Sequence, residues 1–211
     1  MALVLAVLFL SAGRLDYWQG WAFGGLNLAL LVLNYLLMAR SPDLLEERLR
    51  PGAGVKGWDR LYFLIITPLY FFTLALAALD RGRFGWSPSL PTAVPVAACL
   101  LYVLGQAAFL WAKRQNRFFA TVVRIQTDRG QTVCQEGPYR IVRHPGYVGG
   151  LLFTLASPLL LGSLWGLIPA VLSSVLLVAR TALEDVTLRR ELPGYGAYCL
   201  RVRHRLVPGL W

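Results

Sequence analysis

The sequence predicts an all-α, polytopic integral membrane protein, a bundle of five to six hydrophobic helices. Three observations predict it. Of the 211 residues, 56% are hydrophobic and only 15% charged, with a mean hydropathy of +0.53; soluble domains have roughly 45–50% and about 25%. A chain this short still exposes a large share of its area, so that much apolar surface argues against a soluble enzyme. It argues equally against a disordered chain or a disulfide scaffold. The apolar residues also come in runs of membrane-crossing length, and 18 of the 21 Lys and Arg fall in alternate loops.

The runs follow in order. Met1 to Gly13 is apolar and ends at Arg14; it has no basic leading region or cleavage site of a signal peptide. At about 11 residues it is short for a full crossing and is expected to pair with the next run as a hairpin. That run, about Tyr17 to Met38, spans, with Tyr17, Trp18 and Trp21 at headgroup level. Ser41-Pro42 opens a short charged helix, DLLEERLR, capped by Ser and preset by Pro. Pro51-Gly52 ends it, and Leu44, Leu45 and Leu49 are placed to lie on the membrane surface. A span follows from about Leu61 to Leu79 with Pro68 as a tolerated kink, then a turn, DRGRFGWSPS, then a span from about Pro91 to Trp111. Residues 113–145 are the longest polar stretch. Within it, TVVRIQ-TDRG-QTVC reads as a small β-hairpin or as an irregular loop. After His144-Pro145 the chain is apolar to about Leu161, breaks at Gly162-Ser163, and runs on from Leu164 to about Ala179. These two form a helical hairpin, the second helix continuing into RTALEDVTLRREL until Pro193-Gly194 stops it.

The charges test this layout. If successive runs cross, the loops 40–60 and 113–145 and the tail 180–211 share one side, with only Arg14, Arg81 and Arg83 opposite. The positive-inside rule then makes loop 113–145 and the C-terminus cytoplasmic. The net charge of +10 accordingly reads as contact with anionic lipid, not nucleic acid. Nineteen Arg against two Lys hint at a GC-rich genome, hence a multi-pass protein of a prokaryotic inner membrane. The single membrane domain, 1–211, divides into N-terminal spans (1–112), cytoplasmic loop (113–145), helical hairpin (146–180) and cytoplasmic helix and tail (181–211). Cys99, Cys134 and Cys199 are far apart without a CxxC, so neither a disulfide frame nor a metal site is expected.

Three clusters are candidates for chemistry. The first, Gly137 to Gly150, concentrates Gly, Pro, Tyr, Arg and His at the mouth of the last hairpin. Pro145 suits a helix's first turn, whose free N–H groups favour an anion, with Arg143 and His144 beside it. The bland reading is a helix start with Arg on lipid phosphates. The second is Arg180, Glu184 and Asp185 with Arg189 and Arg190. Positions 180 and 184 share a helix face, and acids near a span's end should face protein or a cavity; an interfacial ion pair is the alternative. The hairpin returns Glu184 to the side of His144, so these two clusters can meet. The third is the tail Leu192 to Arg205, with Tyr195, Tyr198, Arg201, Arg203 and Arg205, a cover for a site or a lipid-facing anchor.

At these residues the chain resembles a known family. GPY-R-x-x-RHP-x-Y-x-G, a helical hairpin, E-[DE]-x-x-L, and a tail running from Tyr195 and Tyr198 to Pro208 resemble the isoprenylcysteine carboxyl methyltransferases. Their membrane superfamily includes phospholipid N-methyltransferases. The resemblance covers Gly137 to Pro208, about a third of the chain. Glu184-Asp185 stands where the family often has Glu-Glu, and some sterol reductases carry a similar RHPxYxG segment. It implies that 113–211 is a methyltransferase core whose cytoplasmic loop and tail form a pocket for S-adenosylmethionine, with S-adenosylhomocysteine as product. Carried over residue by residue, Gly137, Tyr139, His144, Pro145, Tyr147, Gly149 and Glu184 line that pocket, with Tyr195 and Tyr198 as lids. The residues agree in one respect: no GxGxxG follows a strand, so no Rossmann domain is expected.

Methyl transfer from a sulfonium is an in-line displacement that needs alignment and a desolvated nucleophile. A carboxylate acceptor needs a cation to hold it, for which Arg143 and then Arg203 are the candidates. An amine acceptor needs a base, for which Glu184 or His144 is placed. The expectation is membrane-embedded methyl transfer (EC 2.1.1 class) to a lipophilic small molecule or lipidated acceptor from the bilayer, a carboxylate by the family's chemistry. The alternatives are an amine or phospholipid N-methyltransferase and a non-catalytic lipid-binding protein.

Overall fold

A computed structural model describes residues 1–39, 42–49 and 52–211, and among them all regular structure is helical. The elements are α1 (Ala2–Ala12), α2 (Trp18–Met38), α3 (Pro42–Leu49), α4 (Gly57–Ala78), α5 (Ala93–Gln115), α6 (Pro145–Leu160), α7 (Leu167–Glu191) and α8 (Tyr195–Arg201). Six of them are apolar. Four are long and apolar enough to cross a membrane, and α1 and α6 are shorter. The fold is therefore the polytopic helix bundle that the hydropathy predicts. The Ser41 cap, the Pro51 stop and the side chains of Leu44 and Leu49 lie outside what is described.

Boundaries differ from expectation where polar residues join a helix. α4 starts at Gly57 instead of Leu61, because the N–H groups of Asp59 and Arg60 both turn back onto the Lys56 carbonyl. Nor does it stop at Leu79: the turn Leu79–Phe84 continues it as one wide π-helical turn. That turn holds the end of the bundle remote from the long loop. The buried Asp80 carboxylate accepts from the Ser87 N–H (2.6 Å) and the Ser163 hydroxyl (2.5 Å), tying the α4–α5 and α6–α7 connections together. Tyr17 donates to the Leu161 carbonyl nearby (2.6 Å). The core also sits towards this end, where Leu8, Phe23, Leu74, Ala77, Tyr102 and Leu161 pack together. Leu28, Leu31, Leu100, Leu104, Ile168 and Val175 point outward, as side chains meeting lipid would.

α5 and α6 pack most closely. A Cβ at Gly105 would come within 2.8 Å of the Gly149 carbonyl, and one at Gly149 within 2.4 Å of the Gly105 carbonyl. Only glycine at both positions lets the backbones approach so far. The α6–α7 hairpin turns at Gly162, whose φ of 81° is a left-handed conformation that glycine adopts freely.

The opposite end carries the basic loops. Here Glu47 meets Arg124, Lys56 meets Glu191, and the tail meets residues 143 and 144. α5 runs on to Gln115, and residues 116–144 form the irregular loop, with no β-hairpin. The reason is local. The Val123 N–H donates to the Asp59 carboxylate (2.7 Å) and the Gln126 amide to the Phe118 carbonyl (2.9 Å), so side chains satisfy the loop in place of a strand ladder. A short turn, Thr127–Arg129, ends at Gly130.

Candidate active site

With the core at one end, the loop-bearing end is left hollow. A cavity of about 440 Å³ opens there between α4, α5, α6, α7 and the loop, within the size range of small-molecule sites. Its two ends differ. Towards the loop it is lined by polar groups, among them Asn116, Gln131, Tyr139, His144, Glu184 and Tyr195. Inside the bundle it is lined by Ile66, Thr67, Tyr70, Phe153, Thr154 and Leu177. From Tyr62 to Tyr70 along α4 the wall extends about 12 Å.

His144 precedes the first residue of α6. Its ring stacks on Tyr147, with centroids 5.7 Å apart and planes 4° from parallel. Tyr147 donates its hydroxyl hydrogen to Glu184 across the hairpin. The sequence-predicted pair of clusters therefore does converge: Tyr139, His144, Tyr147, Glu184, Tyr195 and Tyr198 all face one cavity.

Beneath them lies a knot centred on Asp185. This fully buried carboxylate takes Arg143 Nε (2.8 Å), the Tyr195 hydroxyl (3.0 Å) and Arg205 Nε (3.0 Å), with His144 Nε2 at 3.5 Å. The second nitrogen of Arg143 donates to the carbonyls of Val202 (2.9 Å) and Arg203 (2.7 Å). The N–H groups of Arg143 and His144 donate to the carbonyls of His204 and Arg205. The tail is thus stitched to the mouth of the hairpin. Burial first, then the Asp185 charge, pushes the Tyr195 hydroxyl well above its ordinary range, so this phenol is a donor at any working pH.

A second knot lies at α4. Buried Asp59 takes Arg180 Nε at 2.7 Å, and Arg180 also donates to the Thr121 carbonyl (2.9 Å). The Arg180 guanidinium carbon stands 4.8, 5.1 and 5.2 Å from the ring centres of Tyr62, Phe63 and Tyr147, distances at which a cation is attracted to an aromatic face.

Several expectations change. Arg143 touches the cavity, but Asp185 and two carbonyls occupy its donors, so it is not a free cation for an acceptor. The Arg203 side chain is exposed and contributes only its carbonyl. Arg180 pairs with Asp59, not with Glu184. Gly137, Pro145 and Gly149 are not among the lining residues; Gly149 is instead where α5 crosses α6. Tyr195 and Tyr198 are walls packed with Leu192 and Val202, not lids, and the Tyr198 hydroxyl donates to the Tyr139 carbonyl (2.7 Å). The start of α6 offers an anion little beyond the Gly146 N–H. Pro145 has no N–H, and those of Tyr147 and Val148 bond to the His144 carbonyl. Sequence reasoning missed Asp59, Tyr62, Arg48 and Asn116. An acid at the head of an apolar run is the one signal that points to Asp59.

Fold and site together define a multi-pass membrane protein whose cavity joins a polar mouth to an apolar interior. Comparison with known proteins narrows this. Residues 94–192 match the phospholipid methyltransferase family model. The Delta(14)-sterol reductase of Mus musculus is 33% identical over a 133-residue alignment that takes in 56% of this chain and 32% of the relative. The chain thus spans about a third of the length of that relative. The matched segment contains the RHPxYxG motif and is similar to the membrane methyltransferase superfamily, which takes in phospholipid methyltransferases, isoprenylcysteine carboxyl methyltransferases and the sterol reductase relative. The match supports a methyltransferase-type membrane enzyme.

Proposed function

We propose that the protein is an S-adenosylmethionine-dependent methyltransferase of a lipophilic acceptor, releasing S-adenosylhomocysteine. The observation that carries this reading is a cavity with a polar end beside Glu184 and His144 and an apolar end inside the bundle. It matches a water-soluble cofactor on one side and a bilayer-derived acceptor on the other. The donor set fits the cofactor. Glu184, held by one hydrogen bond from Tyr147, suits ribose hydroxyls. The parallel rings of His144 and Tyr147 offer faces to an adenine or a sulfonium, and Asn116 and Gln131 offer amides. When bound, the cofactor supplies an electrophilic methyl group.

The chain's own residues then do three things. Tyr139, His144 and Glu184 orient at the polar end. Phe109, Phe119 and Phe153 line the wall and keep water from the reacting nucleophile. For an amine acceptor, Glu184 or His144 is placed to take the proton; a carboxylate acceptor needs no base. Arg143 is here a positioning residue that fixes the tail through Asp185. The resemblance in the RHPxYxG motif points to a carboxylate acceptor, and the phospholipid methyltransferase match favours an amine. The Lys and Arg of the loops support a cytoplasmic side for the loop-bearing end, and the excess of Arg over Lys supports a prokaryotic source.

The test is calorimetric titration of the purified protein with S-adenosylmethionine, followed by labelled-methyl transfer to extracted lipids. Binding is expected in the native protein and loss of binding or turnover in His144→Ala and Glu184→Ala. Normal transfer by both variants would sink the assignment, and absence of cofactor binding would favour a lipid-binding protein. Likeness to the sterol reductase carries a second reading, hydride delivery to a lipid double bond; binding of a reduced nicotinamide in place of S-adenosylmethionine would select it.

A further inference from the structure

The cations that touch the cavity are of two kinds. Arg143 is bound by Asp185 and Arg180 by Asp59, each buried with its counter-ion, so neither has charge to offer a ligand. Arg48 differs. It reaches the cavity from α3 and is half-buried. Its Nη1 donates to the Phe119 carbonyl at 3.1 Å, and its guanidinium carbon lies 6.0 Å from the centre of the Phe119 ring.

Among the described residues no carboxylate pairs with it. Helix spacing gives the same answer, because the positions one turn before it in α3, 44 and 45, are both Leu. Its neighbour Glu47 is taken by Arg124, at 2.6 and 2.7 Å. Burial draws the Arg48 guanidinium below its ordinary range, as befits a cation desolvated without compensation. The other face of the arrangement is the site itself: a Cβ on Gly146 would come within 2.7 Å of the Phe119 ring. One aromatic ring therefore separates Arg48 from the turn that carries His144 and Tyr147.

We propose that Arg48 binds the acceptor, holding a carboxylate or phosphate oxyanion of the lipophilic substrate at the mouth of the cavity. Only one of its five N–H donors is used by Phe119, and a guanidinium fork fits either oxyanion in a bidentate way. The proposal rests on the methyl-transfer reading for the identity of the ligand as substrate, and its geometry is independent of that reading.

Dodecyl phosphate and dodecanol, titrated into the full-length protein in detergent, test the subsite. The native protein should prefer the phosphate by about ten- to a hundred-fold, the range of a charge-assisted hydrogen bond. Arg48→Gln should lose the preference and Arg48→Lys keep part of it, which shows that charge and not folding is at stake. The affinity of Arg48→Gln for S-adenosylmethionine should be unchanged. Labelled-methyl transfer to dodecanoate and to phosphatidylethanolamine separates the two sources of the oxyanion, the methylated group itself or its neighbour, with Arg48→Gln raising KM and sparing kcat. A preference that survives in Arg48→Gln, or a native protein that does not distinguish phosphate from alcohol, overturns the assignment. An Arg48-dependent preference in a protein that binds no S-adenosylmethionine would leave the oxyanion subsite standing and remove the methyl-transfer reading.

Discussion

Replacing Asp185 by Ala should destabilise the protein strongly. Its carboxylate is fully buried and takes Arg143 at 2.8 and 3.3 Å, Tyr195 and Arg205 at 3.0 Å and Arg189 at 3.2 Å. Without it, the Arg143 side chain, 3% exposed, keeps only two carbonyls as partners. Removing one partner of a buried ion pair costs about 3–5 kcal/mol, because the other charge is left uncompensated. At roughly 2–4 °C per kcal/mol for a chain of this length, Tm should fall by roughly 6–20 °C. The three cysteines are free and half-buried, so a thiol-reactive fluorophore added during a thermal ramp reports unfolding directly. The double variant Arg143→Met with Asp185→Leu should recover most of the loss, since the charges left without a partner, Arg205 and Arg189, are partly exposed to solvent. A fall of less than about 3 °C for Asp185→Ala, or a double variant as unstable as the two single effects added together, would refute the argument that buried pairing holds the tail.

Gly149→Ala should cost about 1–3 kcal/mol by forcing α5 from α6 while leaving cofactor affinity unchanged, as thermal unfolding and calorimetry would show together. Arg203→Ala should stay within about 0.5 kcal/mol in the same unfolding assay, because its carbonyl and not its side chain makes the contact. Tyr195 is raised above its ordinary value of 10.0, so its contribution to stability is fully present below pH about 10 and is lost as pH climbs through the higher folded-state value. Tyr195→Phe should flatten that alkaline loss in Tm measured against pH. Asp59→Ala should lower Tm by an amount comparable to Asp185→Ala, and Asp59→Asn by less, since the amide still accepts from Val123 or Arg180.

What the sequence made legible follows from the range of the interactions involved. Spans are legible because hydrophobic runs are local, and the break at Gly162 because its left-handed backbone suits glycine. His144, Tyr147 and Glu184 could be brought together because a tight hairpin returns one helix end to the other. Arg143 was misassigned because its partner is Asp185 and not a ligand. Residues 184 and 185 are adjacent on a helix and point about 100° apart, and only the seating of the tail decides which faces the cavity. Gly149 lies within the motif, yet its role is set by Gly105 on another helix. Asp59 and Arg180 are 121 positions apart, a pairing that no local pattern encodes.

That long-range pairing bears on where specificity resides. The segment matched by the phospholipid methyltransferase family, 94–192, supplies Asn116, Tyr139, His144 and Glu184, which form the polar end. It does not contain Arg48, Asp59, Tyr62, Ile66, Thr67 or Tyr70, which wall the mouth and the apolar end from α3 and α4 or brace that wall. On the methyl-transfer reading, one wall of the acceptor's end is therefore encoded outside the shared segment. The shared segment carries most of the polar end and also Phe153, Thr154 and Leu177 of the apolar end, while α3 and α4 supply the rest of the acceptor's wall. Such a division lets acceptors change without disturbing the cofactor, provided the seam holds. Asp59 is that seam, because one carboxylate fixes the loop through Val123 and α7 through Arg180. The burial of Asp59 at the head of an apolar helix is a desolvation cost that lipid contact could not offset. It is offset only when α4 closes against α7, so the acceptor's wall and the cofactor's wall form together.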